Sequence, residues 1–177
     1  MQALRYLTAA QRDALGCVVA ESAAIEASVD TWLLHVSGLR SAHYALLTSG
    51  RMLSWKLSAL KEIGVSRLRS QNRRRRFGAL IDLLSSLNGE RNIAVHGTWR
   101  PRGGHTLATL FYPERWGPGE AVQARNGATI RAERLAPLAQ AMESRCAELD
   151  RLCNEFWVSP AVRRYMTRQR RAEARFR

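Results

Sequence analysis

Apolar residues recur at every third or fourth position through most of the chain, which is the period of amphipathic α-helices. The pattern marks four segments, at residues 9–37, 41–63, about 77–97 and 131–157. Their number, their lengths and their apolar faces predict a mainly α protein built as a four-helix bundle.

Glycines mark where these helices weaken or end. Gly50 is expected to weaken the second helix only slightly, and Gly64 is expected to cap its C-terminus. Gly89 is expected to bend the third helix, and Gly97 to end it. The apolar stripe of the second helix is predicted to consist of Leu46, Leu47, Leu53, Leu57 and Leu60.

The composition of the chain changes after Gly97, where residues 98–131 are rich in glycine and proline. Short strand-like pieces occur at residues 106–112, 121–124 and 128–131, and Asn126-Gly127 between the last two is typical of a hairpin turn. The segment predicts one or two small β-hairpins, inserted before the last long helix. Residues 1–160 are then a single helical domain, followed by an arginine-rich basic tail at residues 161–177.

Composition narrows the class of protein and of partner. The chain has 177 residues, of which 46% are apolar and 24% charged, as in an ordinary soluble domain. Its formal net charge of +13 favours an anionic partner, nucleic acid first and a membrane surface second. No apolar run approaches the roughly 18 residues of a membrane-spanning helix, and no secretory signal is visible, so no membrane partner is expected.

The cysteines and histidines favour neither disulfides nor a metal site. Cys17, Cys146 and Cys153 are odd in number and lack Cys-x-x-Cys spacing, so they are predicted to be core thiols of a cytoplasmic protein. His35, His43 and His105 form no set of ligands, and neither a metal nor a cofactor is expected.

One position breaks the apolar stripe of the third helix. The stripe steps through Phe77, Leu80, Leu84 and Leu87, and the next step falls on Arg91. An arginine is almost never fully buried without a partner. Either a bend at Gly89 releases this side chain to solvent, or an anionic group meets it.

A histidine follows in the last turn of the same helix. His96 stands directly before Gly97 and shares a helical face with Asn88 and Asn92, at steps of four residues. Arg91 and His96 can converge across a groove because the arginine side chain is long, and more easily where two copies of the chain meet. A histidine that exchanges a proton near neutral pH suits acid–base catalysis.

The segment Arg91-Asn92-x-x-x-His96 resembles the signature of the HEPN superfamily, an arginine and a polar residue followed by a histidine. The order of helices over about residues 10–157 is similar to that family as well. The resemblance implies an HEPN-like four-helix bundle and a metal-independent endoribonuclease, which acts as a homodimer with two facing motifs. A toxin, or a stress or phage-defence effector, is the expected biological setting, with an antitoxin or another protein as a further partner.

The resemblance also implies roles for the three residues. His96 would be the general base for the RNA 2′-hydroxyl, or the general acid to the leaving 5′-oxygen, and its copy in the partner would take the other role. Arg91 would hold the phosphate and stabilise its extra charge. Asn92 would orient the histidine or donate to the phosphate.

Other arginines are candidates for contact with an RNA backbone: Arg73, Arg74, Arg75, Arg76, Arg100 and Arg102. For the run at residues 73–76, a solvated start of the helix is the alternative. The basic tail is either a disordered arm or an arm that grips RNA.

Two alternatives to a ribonuclease remain open. The first is a catalytically inactive HEPN module that binds RNA or a partner protein. The second is a plain helical-bundle interaction protein, in which Arg91 and His96 brace the end of the helix.

Overall fold

The computed structural model describes residues 3–110 and 128–158 of the chain. Within these ranges the protein is mainly α, as predicted, with one small antiparallel sheet. The helices are α1 (Ala9–Ser37), α2 (Ser41–Thr48), α3 (Leu53–Arg67), α4 (Gln71–His96) and α5 (Leu135–Trp157). The strands are β1 (Thr98–Arg102), β2 (His105–Leu110) and β3 (Ala128–Arg131), and short 3-10 helices span Ala3–Tyr6 and Ala132–Arg134.

The first predicted helix is confirmed as α1, but the second is wrong, because two helices replace it. Gly50 lies between α2 and α3 with φ +71°, a backbone conformation that interrupts a helix rather than merely weakening it. Leu46 and Leu47 were predicted to be core residues, yet their side chains are 80% and 57% exposed. The period of apolar residues placed them on the wrong face, since α2 is too short to carry a continuous stripe.

Gly64 does not cap a helix, because α3 continues to Arg67. It lies inside α3 against the ring of Phe77, where a Cβ atom would approach Cε1 to 2.5 Å. Close packing, rather than helix termination, therefore explains this glycine.

The third predicted helix begins earlier than expected and ends where expected. Helix α4 starts at Gln71, so the arginine run at residues 73–76 forms its first turns. The helix continues through Gly89 and ends at His96. At this end the Gly97 amide donates to the Ile93 carbonyl at 2.9 Å. The terminating role of Gly97 is confirmed.

The β insertion is confirmed in outline and differs in its strands. Residues 98–102 form β1, which was not predicted, and the last predicted strand is β3. The β1–β2 turn is Gly103-Gly104, with φ +57° and +79°, values that only glycine adopts readily in a tight hairpin. The predicted strand at residues 121–124, the Asn126-Gly127 turn and the basic tail lie outside the described residues.

The chain divides into two compact units. The first unit comprises Met1–Ala27 and Asp82–Arg145, and the second comprises Ser28–Ile81 and Cys146–Arg177. In the first unit, the antiparallel sheet has the order β1-β2-β3, and the paired residues Trp99, Ala108 and Ile130 are all buried. This row makes one sheet face part of the core.

The second unit contains a buried polar network. The Asp30 carboxylate accepts from the Tyr44 hydroxyl at 2.6 Å and from the Lys56 ammonium at 2.8 Å. Lys56 is buried, and the ion pair with Asp30 supplies the partner that a buried charge requires.

Burial of the three cysteines differs. Cys153 is buried, and burial together with the nearby charge of Asp150 raises the pKa of its thiol. Cys17 is exposed, so its prediction as a core residue is wrong: its position on α1 faces solvent. Among the described helices, none is long and apolar enough to cross a membrane.

Candidate functional site

The three residues of the predicted motif meet at the C-terminal end of α4, within a single chain. The Arg91 guanidinium donates from Nη1 to Asn92 Oδ1 at 3.0 Å. The same nitrogen lies 3.4 Å from Nε2 of His96, a long contact at the limit of hydrogen bonding. An arginine can only donate, so any hydrogen bond in this contact runs from Arg91 to Nε2 of His96.

Arg91 is held in an unusual way for a cation. It follows the buried residues Phe77, Leu80, Leu84 and Leu87 along the helical stripe, and its side chain is half-buried. Its Nε atom is buried and has no hydrogen-bond partner in the described part of the chain. A buried donor without an acceptor costs about 1–3 kcal/mol, so the fold carries an unsatisfied donor at this position.

The carboxylate nearest in sequence to Arg91 is paired with another arginine. Glu90 accepts two hydrogen bonds from Arg134, from Nε at 2.8 Å and from Nη2 at 3.1 Å. This forked pair raises the pKa of Arg134 through the hydrogen bonds to Glu90 and anchors α4 to the 3-10 helix before α5. Among the described residues, no carboxylate pairs with Arg91, which leaves its charge for another anion.

Two residues after the motif hold the end of the helix in place. A Cβ atom on Gly97 would collide with the Ile93 carbonyl oxygen and lie 3.1 Å from the Ala108 Cβ. The buried indole of Trp99 donates from Nε1 to the Ala94 carbonyl at 3.0 Å, which satisfies one of the free carbonyls at the helix end. The turn that carries exposed His96 is thus packed directly on the sheet.

The sheet brings further basic residues into the first unit. Its face opposite the buried row, called the arginine face below, is formed by Thr98, Arg100, Arg102, His105, Leu107, Thr109, Thr129 and Arg131. Arg100 and Arg102, predicted from the sequence, share this exposed face, because residues two apart in a strand point to the same side. Arg131 joins them through its pairing with Leu107.

The arginine run belongs to the second unit, where most of its members already have partners. Arg73 and Arg76 stack on the Phe156 ring at 5.3 and 5.7 Å, and Arg74 donates to the Leu68 carbonyl at 2.5 Å. Arg75 is exposed and makes no hydrogen bond or ion pair with the described residues. These contacts favour a structural role for the run, although RNA contact by residues 73–76 stays a prediction.

Sequence reasoning missed the Glu90–Arg134 pair, the anchoring by Trp99 and the position of Arg131. The first two depend on contacts between elements and leave no local signal. Arg131 could have been found, since it alternates with Thr129 in the predicted strand at residues 128–131. In the described part of the chain, no group of three or more histidine, cysteine or acidic residues is placed to hold a metal ion.

No protein-family model, no curated protein and no solved structure matches the chain. The membership of a family therefore stays a prediction from the motif and the order of the elements.

Proposed function

We propose that this chain is an endoribonuclease of HEPN type, with an HEPN-like helical domain, which cleaves RNA without a metal ion at Arg91, Asn92 and His96. The observation that carries the proposal is the buried, unpartnered Nε of Arg91 beside an accepting nitrogen of His96. A phosphate can accept from a guanidinium through two parallel hydrogen bonds, a geometry that suits such a donor.

The proposed chemistry uses His96 of this chain as the base and His96 of a second copy as the acid. Nε2 of His96 takes the proton of the RNA 2′-hydroxyl, and the 2′-oxygen attacks the adjacent phosphorus. The bond from phosphorus to the 5′-oxygen breaks, and that oxygen receives a proton from a histidine acting as general acid. The products are a 2′,3′-cyclic phosphate and a 5′-hydroxyl.

Arg91 would stabilise the transition state, in which the phosphate carries additional negative charge. Nη1 is held by Asn92 and His96, and Nε is buried, so the guanidinium has to turn toward solvent to offer a fork of donors to the phosphate. Asn92 orients the guanidinium, since its Oδ1 accepts from Arg91.

The proposal includes a homodimer, in which two copies of the site face each other and their histidines share the acid and base roles. It also includes a cytoplasmic toxin or defence effector restrained by an antitoxin protein. The formal net charge of +13 supports an anionic substrate.

One observation favours the second candidate, a catalytically inactive module that binds RNA or a partner protein. Nε2 of His96 already faces Arg91 of the same chain, so its accepting nitrogen is occupied in the absence of substrate. If RNA does not displace this contact, Arg91 and His96 serve only to bind or to brace the helix end.

The experiment that separates these candidates is RNA cleavage by the purified protein in EDTA. His96→Ala is compared with His43→Ala, which removes an equally exposed histidine from α2 in the second unit. We expect wild type and His43→Ala to leave 2′,3′-cyclic phosphate ends, and His96→Ala to be inactive. Absence of cleavage by folded wild type would favour the inactive module, and cleavage that survives His96→Ala would exclude this site.

The dimeric site has its own test. Arg91→Ala and His96→Ala are each expected to be inactive. If the site needs a histidine from each chain, excess His96→Ala added to wild type is expected to suppress cleavage through inactive mixed dimers, whereas independent single-chain sites would keep their activity. A monomeric mass in solution, together with full activity, would exclude the two-chain site and leave the single-chain cluster.

A further inference from the structure

We infer that the arginine face of the sheet binds the phosphate backbone of single-stranded RNA and leads it to or from His96. The inference rests on the proposed function for the identity of the ligand. It concerns a different surface, however, so the two can fail separately.

The pairing of the strands arranges this face in rows. Thr98, Thr109 and Thr129 form one row across the three strands, because each is the direct partner of the next. The adjacent row on the same face is Arg100, Leu107 and Arg131. Neighbouring strands lie about 4.8 Å apart, so the Cα atoms of the two arginines in this row are separated by roughly 10 Å.

Arg102 extends the face toward the β1–β2 turn, where it pairs with His105. A cavity of about 280 Å³ lies along this part of β1, lined by Thr98, Arg100, Pro101, Arg102, Leu107 and Thr109. The positive groups therefore border a depression in the surface rather than a flat sheet.

The side chains of Arg100, Arg102 and Arg131 are exposed. Their guanidinium groups make no hydrogen bond or ion pair with the residues that the structure describes. Within the described part of the chain, the carboxylate of Glu133 contacts the face, with Oε1 at 3.7 Å from Nδ1 of His105. Three uncompensated guanidinium groups on one side of a small sheet create a site for a polyanion.

The chemistry of the face selects a nucleic-acid backbone among polyanions. Guanidinium forks and threonine hydroxyls are the side-chain donors that contact phosphate and sugar oxygens. Among the described residues that form the face there is no phenylalanine, tyrosine or tryptophan, which favours contact with the backbone over reading of the bases. Leu107 is its one large apolar residue and is half-buried, which leaves no apolar surface to insert into a membrane.

The connection to the catalytic cluster is covalent and short. His96 ends α4, Gly97 follows, and Thr98 begins β1 and the threonine row. Arg100 and Arg102 follow at steps of two residues, each about 6.6 Å along the strand. A strand of RNA lying on β1 would therefore pass beside His96. A single strand is flexible enough to bring a 2′-hydroxyl into line for its attack on the adjacent phosphorus.

The test is the salt dependence of RNA binding, measured by fluorescence anisotropy with a short labelled single-stranded RNA of mixed sequence in EDTA. All proteins carry His96→Ala, so cleavage cannot interfere. The sheet variant is R100Q/R102Q/R131Q. The matched control, R40Q/R69Q/R151Q, removes the same charge from exposed positions of the second unit.

Each neutralised phosphate contributes about 0.7 to the slope of log affinity against log salt for a single strand, so the sheet variant is expected to lose roughly 2 from the slope. Its affinity at about 50 mM salt is expected to fall tenfold or more, while the control changes by less than threefold. Thermal melting of both variants checks that they are folded, which is expected because the exchanged side chains are on the surface.

Equal losses in both variants would overturn the inference, since binding would then depend on total charge alone. Tight binding of duplex RNA, or of anionic lipid vesicles, with the same dependence on the three arginines would overturn single-stranded RNA as the ligand. Cleavage by wild type with unchanged binding in the sheet variant would overturn the inference and leave the ribonuclease standing. RNA binding that depends on the three arginines of the sheet, without any cleavage by wild type, would support the inference and overturn the proposed ribonuclease.

Discussion

Replacement of Arg91 by methionine is expected to stabilise the protein while abolishing RNA cleavage. Arg91 continues a stripe of buried apolar residues, and methionine is an unbranched side chain that can follow the same path in a helix. If the arginine is kept for its chemistry, the fold bears a cost at this position, and the substitution should remove that cost.

The magnitude follows from two terms. Loss of the buried, unpartnered Nε donor recovers about 1–3 kcal/mol of unfolding free energy. Loss of the hydrogen bond to Asn92 Oδ1 costs about 0.5–1.5 kcal/mol, and the half-buried amide can then turn to water. The net gain is about 1 kcal/mol, which raises the melting temperature by roughly 2–4 °C in a chain of this size.

The measurement is urea unfolding followed by circular dichroism, combined with the cleavage assay in EDTA. The control is Arg75→Met, which makes the same exchange on the same helix at an exposed position. Arg75→Met is expected to change the unfolding free energy by less than about 0.5 kcal/mol, as surface substitutions usually do.

A loss of more than about 1 kcal/mol in Arg91→Met would refute this reasoning. It would mean that the guanidinium braces the end of α4 through Asn92 and His96, and that the missing partner of Nε is of no consequence. The motif would then be structural, and the case for catalysis would lose its main support.

Three further outcomes are expected. Gly97→Ala should lower the unfolding free energy by about 1–3 kcal/mol and reduce cleavage, because its Cβ collides with the Ile93 carbonyl. Gly89→Ala, which has open space around its Cβ, should raise the unfolding free energy by about 0.5–1 kcal/mol. Equal effects of the two variants in urea unfolding would contradict the packing argument. Asp30→Ala should cost about 2–4 kcal/mol because it removes a hydrogen-bonded carboxylate from buried Lys56. A loss below about 1 kcal/mol in urea unfolding would mean that other groups or water satisfy the ammonium group. Burial, with a smaller contribution from Asp30, raises the pKa of Tyr44 above its usual value. The neutral hydroxyl therefore stabilises the fold fully below about pH 10, and this contribution is lost as the pH rises further. Tyr44→Phe should flatten this alkaline decline in the unfolding free energy.

Predictions from local periodicity succeeded where a long helix had a clear face. Helix α1 and the end of α4 at Gly97 agree with the sequence pattern. The pattern failed for α2, where apolar residues occur on both sides of a short helix and Leu46 and Leu47 face solvent. A spacing of three or four residues between apolar positions does not determine which face of a short helix is buried.

Strand β1 illustrates a second limit. Its sequence contains two arginines and Pro101, none of which favours a strand. It forms because it pairs with β2 across the Gly103-Gly104 turn, and its place at the edge of the sheet tolerates a proline. Pairing with a neighbour, rather than intrinsic preference, makes this segment a strand.

The sequence by itself determined the helical character of the chain, its excess positive charge and the presence of an arginine in the line of the apolar stripe of α4. These follow from period and composition, which are local properties. Only the tertiary structure decided that Glu90 is paired with Arg134 and that Arg91 keeps a donor without a partner. Strand register likewise placed Arg131 in the same row as Arg100, on the two sides of Leu107. Such contacts between elements distant in sequence depend on how the chain packs and not on the residues that flank each position.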